Sequence, residues 1–258
     1  TERGVFNLPC DENHTTQYLI ERLAACPLGH QPGTRFLYGL NTDVLGIIIE
    51  RISGTTLEQF VQERIFTPLQ MTRSCFTLSE DQWDDVAVLY KPNETNEPPL
   101  SPVSDGVQSR NFVTYHPHCY FRSPNVHKSG GGGLISTIAD FNKFLNSCLA
   151  SRLGAHFAPK VVSRRTMELM TSNTLGKIDH GMLAPAFGFG FGFSVATEPA
   201  LVGSWKTAGT FGWGGVFGLD YFVDPTERIT CIMVMQRFPT AYFDIRAKYQ
   251  TLLYQALN

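Results

Sequence analysis

No serine in this chain is followed three residues later by a lysine, and no glycine pair brackets a serine as G-x-S-x-G. Both absences remove the nucleophile patterns by which serine hydrolases are usually read from sequence. The glycine run at 130–133 is not followed by a lysine and a hydroxyl residue, so it is not a phosphate-binding P-loop. No stretch of 18 apolar residues occurs, and the first residues carry no secretory pattern. Neither sign of charge is in excess: 21 Lys and Arg stand against 23 Asp and Glu, a net of −2, which offers no basic face to nucleic acid. The six cysteines, at 10, 26, 75, 119, 148 and 231, share no spacing. That favours free thiols over a disulfide framework and mildly favours an intracellular setting, with localisation otherwise open. What is present, 43% hydrophobic and 17% charged residues, suffices for a globular core.

The most informative stretch is Phe211-Gly212-Trp213-Gly214-Gly215-Val216-Phe217-Gly218, which runs into Leu219-Asp220-Tyr221-Phe222-Val223-Asp224-Pro225. Four glycines in eight residues make a backbone that a neighbour can approach closely, and the following residues read as a strand ending in a turn. Trp213 can form a pocket wall and donate through its indole N–H; the alternative is a tight hairpin with Trp213 in the core.

A second stretch, Gln31 to Gly54, opens with a Pro-Gly turn and continues as an aromatic-rich extended run through Tyr38. It then becomes an apolar helix with Asn41 or Thr42 as N-cap and Gly54 beyond its end. Thr55 and Glu58 read as the capping box of the next helix. Taken in order, these segments resemble the penicillin-recognising serine hydrolases: class C β-lactamases, DD-peptidases and related carboxylesterases and acyltransferases. Ile65-Phe66-Thr67-Pro68-Leu69-Gln70-Met71-Thr72 is similar to the family's I-x-x-P-L-G-M-T, with Gln70 replacing the glycine. Gly130 to Ser136 with the helix through Asp140, Phe141 and Phe144, then Gly188 to Phe193, and finally Trp213-Gly214-Gly215 extend the resemblance from about Leu19 to the C-terminus. Each piece alone is weak, and their order and spacing are specific.

The resemblance implies an α+β, β-lactamase/transpeptidase-like fold: an antiparallel sheet flanked by helices plus a mainly helical half, with the family's N-terminal strands missing. It implies that Tyr38 exchanges a proton with the serine and the leaving group. An ordinary phenol ionises near pH ~10, so such a base needs a neighbouring cation, which the family's S-x-x-K lysine provides. It also implies that the backbone N–H of Val216 donates to the oxyanion, and that Trp213, Gly214, Gly215 and Leu40 contact substrate. Leu40 stands where lactamases carry asparagine, and Trp213-Gly214-Gly215 stands where they carry K-T-G. Both departures resemble the carboxylesterase and acyltransferase branch, which implies a small ester or thioester with an apolar acyl group and no cofactor.

Thr174-Leu175-Gly176-Lys177 is the nearest imitation of S-x-x-K, but it follows the second motif and reads as a surface loop. Two explanations stay open: a C-terminal portion of a longer serine hydrolase, or a catalytically silent short form kept as a scaffold. Either leaves a sheet edge for a second copy or an N-terminal fragment to cover. His116-Pro117-His118-Cys119, with His127 further on, supplies metal-ligand types without a second paired cluster, and no metal is expected. Cys119 and His118, as neighbours on an extended chain, point apart.

The expected organisation is a mainly helical half over 1–180 and a sheet with a C-terminal helix over 181–258. Residues 86–130 form a proline-rich loop. Helices are expected at 136–150, 163–171 and 241–257, and strands at 188–197, 202–210, 216–223 and 228–236.

Overall fold

The computed structural model describes residues 15–87, 90–91, 101–102, 126–178, 181, 183–237 and 244–257. The chain forms two compact units: residues 1–29, 38–67 and 71–137, and residues 30–37, 68–70 and 138–258.

In the first unit, α1 (Thr16–Ala24) starts under the hydroxyl of Thr15, which accepts from the Tyr18 N–H. Helix α2 (Asn41–Ser53) closes on Gly54 at φ 71, the left-handed C-cap the sequence predicts. Its N-cap is Leu40, which offers no side-chain oxygen. Helix α3 (Leu57–Val61) has its capping box one residue later than expected, on Thr56 and Gln59. Thr55 is already paired with the Ser53 hydroxyl, and Glu58 accepts from Thr77 Oγ1 at 3.0 Å. The chain then widens into a π turn (Gln62–Phe66) and runs into α4 (Thr67–Leu69). Pro68, which lacks an N–H, makes a regular i→i−4 ladder impossible there. Leu19, Ile47, Leu57, Phe66 and Met71 are buried, as is a cluster of Leu78, Trp83 and Val126. Leu45, Ile48 and Ile52, spaced along one side of α2, are exposed. Strands β1 (Tyr90–Lys91) and β2 (Ser101–Pro102) pair antiparallel; the rest of the expected long loop lies mostly outside the described residues.

The second unit is built on an antiparallel meander in the order β3-β4-β5-β6-β7: Phe187–Phe189, Ser194–Ala196, Phe211–Gly214, Asp220–Asp224 and Ile229–Met233. The expected strand 188–197 divides in two, because Gly190 N–H donates to the Phe193 carbonyl and Gly192 adopts φ 96. The expected strand 202–210 does not form. A 3₁₀ turn (Pro199–Val202) ends at Gly203 with φ 64, and Gly209 at φ 91 turns the chain again before β5.

Alternation along β6 assigns the two faces of the sheet. Tyr221 meets Phe141 of α5 (Ile138–Leu153) edge-on at 4.9 Å. Tyr221 and Val223 join a core of Leu145, Leu149, Met167, Phe193, Val195 and Phe211, completed by α6 (Arg164–Met170). Asp220, Phe222 and Asp224 face α7 (Ile245–Gln255): Gln250 donates to Asp220 at 3.0 Å, and Tyr254 stacks on Phe222 and donates to Asp224 at 2.6 Å. The sheet is therefore flanked by helices. Asp224 is fully buried and also accepts from Thr207, Thr210 and the N–H groups of Thr226 and Glu227. Burial alone would raise its pKa, but the hydrogen bonds from Tyr254, Thr207, Glu227 and Thr210 outweigh it and hold the carboxyl below its ordinary range.

Candidate active site

Tyr38 stands on the loop just before α2, with 54% of its surface exposed. The Leu40 carbonyl accepts the first helical bond, from Val44 N–H at 3.0 Å. No side-chain oxygen caps the helix, and Asp43 in its first turn is a buried carboxylate of the sign that the helix dipole favours there. Asp43 Oδ1 accepts a short hydrogen bond from Ser129 Oγ. Ser129 Oγ in turn accepts from Gly131 N–H at 3.1 Å and Gly132 N–H at 3.0 Å. A Cβ on Gly130 would stand 2.3 Å from the Thr42 carbonyl, and one on Gly131 would stand 2.8 Å from Asp43 Oδ2. The four-glycine segment is therefore tethered to the start of the helix that follows Tyr38.

His127 and Lys128, just ahead of that segment, are buried. His127 Nδ1 pairs with Thr16 Oγ1 at 3.1 Å, and burial lowers the pKa of both side chains. Residues 116–119 lie outside the described residues. Cys26, Cys75, Cys148 and Cys231 are free thiols, with burial pushing Cys75 up to about 11 and Cys148 up to about 12. Thr174 to Lys177 forms an exposed turn, with Gly176 at φ 58, so Lys177 does not stand one helical turn from Thr174.

In the second unit, Trp213 is half-buried on β5 and meets Phe189 edge-on at 5.2 Å; Phe189 in turn lies 4.8 Å from Phe36. The three rings make an aromatic row in which sequence-distant residues converge. Lys206 is not available as a K-T-G lysine: it lies 4.9 Å from the Phe222 ring and 5.9 Å from that of Phe187, and burial lowers its pKa despite Asp220.

After Gly214 the strand stops, and Gly215 to Gly218 turn the chain into β6, so the whole stretch is a hairpin. Gly215 N–H donates to the Leu219 carbonyl at 2.7 Å, and Gly218 N–H donates to the Gly215 carbonyl at 3.1 Å. Val216 is the second residue of that turn and 41% exposed; among the described residues nothing accepts from its N–H. The glycines make close contacts within the protein itself, and at Gly212 those contacts leave no room for a side chain. A Cβ on Gly212 would stand 2.1 Å from the Tyr221 carbonyl, one on Gly214 would stand 3.1 Å from the Leu219 carbonyl, and one on Gly215 would stand 3.0 Å from Leu219 Cβ.

Residues 3–256 match the family model described as Beta-lactamase. The chain belongs to the beta-lactamase family. Among its relatives, Protein Rv1367c of Mycobacterium tuberculosis is 32% identical over 88% of this chain and 55% of its own length. Esterase EstB of Burkholderia gladioli is 29% identical over 86% of this chain and 54% of its own. Monacolin J acid methylbutanoyltransferase of Aspergillus terreus is 28% identical over 85% and 53%. This member of the beta-lactamase family thus spans about half the length of the curated relatives it matches. Its fold is shared with a solved structure described as EstCE1, a hydrolase with promiscuous acyltransferase activity, at a TM-score of 0.73, with 23% identity and coverage of 93% of this chain and 61% of that one. No described helix is long and apolar enough to cross a membrane.

Sequence reasoning missed Asp43, Ser129 and Arg246 as residues that organise the two segments. An acidic residue in a first helical turn was a usable signal for Asp43. Neither Ser129 nor Arg246 carries a comparable local mark.

Proposed function

We propose that this chain forms part of a serine hydrolase or acyltransferase that acts on small esters through an acyl-enzyme, with the serine and lysine of S-x-x-K supplied by sequence outside it. The serine oxygen attacks the ester carbonyl carbon, and the alcohol leaves with a proton returned by Tyr38. Water or an acceptor hydroxyl then takes the acyl group by the reverse proton path. The Val216 N–H stabilises the negative charge that develops on the carbonyl oxygen. Trp213, with Phe189 and Phe36, forms an apolar wall for the acyl group, and Gly214 and Gly215 carry that wall into the turn. Leu40 replaces an amide-holding asparagine, so esters are preferred over β-lactams and peptides.

The observation that carries this reading is the turn after Trp213-Gly214-Gly215, which satisfies the N–H groups of Gly215 and Gly218 and leaves that of Val216 without a partner among the described residues. The esterase and acyltransferase relatives support the reaction class. The exposed side of α2 at Leu45, Ile48 and Ile52 supports further chain packing there. The test treats the complete product of the gene that encodes this chain with a fluorophosphonate probe and reads intact mass, with p-nitrophenyl butyrate and penicillin turnover measured in parallel. The reading predicts one covalent label and ester turnover well above penicillin turnover. No label and no turnover would leave a silent scaffold of the same fold.

A further inference from the structure

The Gly215–Val216 peptide has a second grip on it, from outside the hairpin. Arg246, in the first turn of α7, directs Nη2 at the carbonyls of both Gly215 and Leu219, each at 3.2 Å. Its guanidinium lies so close over the turn that a Cβ on Gly214 would stand 3.2 Å from Nη1 and 3.3 Å from Nη2. Helix α7 is itself fixed to the sheet further along, through Tyr249 to Cys231, Gln250 to Asp220 and Tyr254 to Asp224. The far side of the turn is held by Arg237 N–H, which donates to the Phe217 carbonyl at 2.9 Å.

The Gly215 carbonyl and the Val216 N–H belong to one peptide unit, which is planar and trans, so the two groups point in opposite directions. Whatever fixes the direction of that carbonyl fixes the direction of the N–H. A cationic donor on the carbonyl oxygen also draws electron density through the amide and makes the opposite N–H a stronger donor. Gly218 N–H supplies one hydrogen bond to this oxygen, and Arg246 supplies the charged one.

We propose that Arg246 is a positioning residue for the oxyanion-binding peptide: it orients and polarises the Gly215–Val216 amide, and through that amide it aims the Val216 N–H. The inference rests on the proposed ester chemistry and adds to it a residue from the last helix that never touches substrate. A side chain at Gly214 would press on the guanidinium.

The test uses the complete gene product with p-nitrophenyl butyrate and five proteins: wild type, Arg246→Ala, Arg246→Lys, Val216→Pro and the Arg246→Ala/Val216→Pro double variant. Val216 is the second residue of a turn and has a negative φ, a place that accepts proline, so Val216→Pro removes the N–H with little other change. Arg246→Ala is expected to lower kcat roughly tenfold with KM within about twofold, because the substrate's ground state does not use the misaligned donor. Arg246→Lys should recover part of the loss. In the Val216→Pro background, Arg246→Ala should cost nothing further, since the group it acts through is gone. Hydrogen exchange of the Val216 amide, which no hydrogen bond protects among the described residues, should slow in Arg246→Ala as the polarisation of the peptide is lost, at an unchanged melting temperature. A wild-type kcat in Arg246→Ala, or an equal loss in both backgrounds, would overturn the role of Arg246 while leaving the ester reading standing. A wild-type protein with neither turnover nor label would instead overturn the ester reading, and the role with it.

Discussion

The chain has two glycine-rich segments, 129–133 in one unit and 211–218 in the other, and they are held by opposite means. The first is fixed by side chains: Asp43 holds Ser129, and Ser129 holds the amides of Gly131 and Gly132. The second is fixed by main chain, through the ladder from β5 to β6 and the turn bonds of Gly215 and Gly218, with the Arg246 guanidinium added from above. In both, the tightest glycines face a carbonyl of the protein itself, Thr42 for Gly130 and Tyr221 for Gly212. Glycine abundance near a site is therefore weak evidence for close approach of a ligand; it first reports close approach of backbone to backbone. The difference lies in what is left over. The side-chain lock engages the amides of Gly131 and Gly132, whereas the main-chain lock engages those of Gly215 and Gly218 and leaves the Val216 N–H between them with no acceptor among the described residues.

The sharpest way to break this comparison is alanine at the crowded glycines. Gly212→Ala and Gly130→Ala should each cost on the order of 3 kcal/mol, because backbone on both sides must move. Gly132→Ala, whose Cβ would meet nothing within 4 Å, should change stability by less than about 0.5 kcal/mol. Denaturant melts of the three variants check this, and an equal cost at Gly132 would remove the distinction.

A smaller effect is expected at Gln70, a non-glycine residue that holds φ 56. The Lys143 ammonium bonds to its main-chain carbonyl and would keep that bond in Gln70→Gly. Relief of the left-handed strain, less the added entropy of the unfolded chain, should stabilise by about 0.5–1 kcal/mol. A lower melting temperature would contradict that balance.

The least effect in energy is an order of events in acid. His127, buried with its pKa lowered, takes up a proton more readily when unfolded, so its contribution erodes as pH falls below about 6.5. Asp224, with its pKa lowered in the folded state, contributes stability above about 3.9 that is lost as pH falls through its folded value. Amide exchange followed from pH 7 downward should therefore loosen the residues around His127 and Thr16 before those around Asp224 and Tyr254. His127→Gln should remove the earlier step, and the reverse order would contradict the assignment.

The parts of the fold readable from sequence were those set by local chemistry. Gly54 ended α2, the Pro-Gly turn preceded Tyr38, and α5 and α7 stand where helices are expected. The capping box slipped by one residue because Ser53 and Thr77 competed for Thr55 and Glu58. The strand expected at 202–210 failed because two glycines took positive φ and because Thr207 and Thr210 bond to a carboxylate far along the chain, Asp224. Tyr38, Leu40, Trp213, Gly214, Gly215 and Val216 were nameable from motif order, whereas the holding residues were not. Asp43 and Ser129 are 86 positions apart and Gly215 and Arg246 are 31 apart, so their pairing exists only once the chain is folded.

The most direct measurement is ester turnover by Val216→Pro in the complete gene product, since proline removes the one N–H on which the proposed chemistry depends. The account predicts a fall in kcat of roughly 10²- to 10³-fold with the melting temperature retained. A kcat equal to that of the wild type would contradict it.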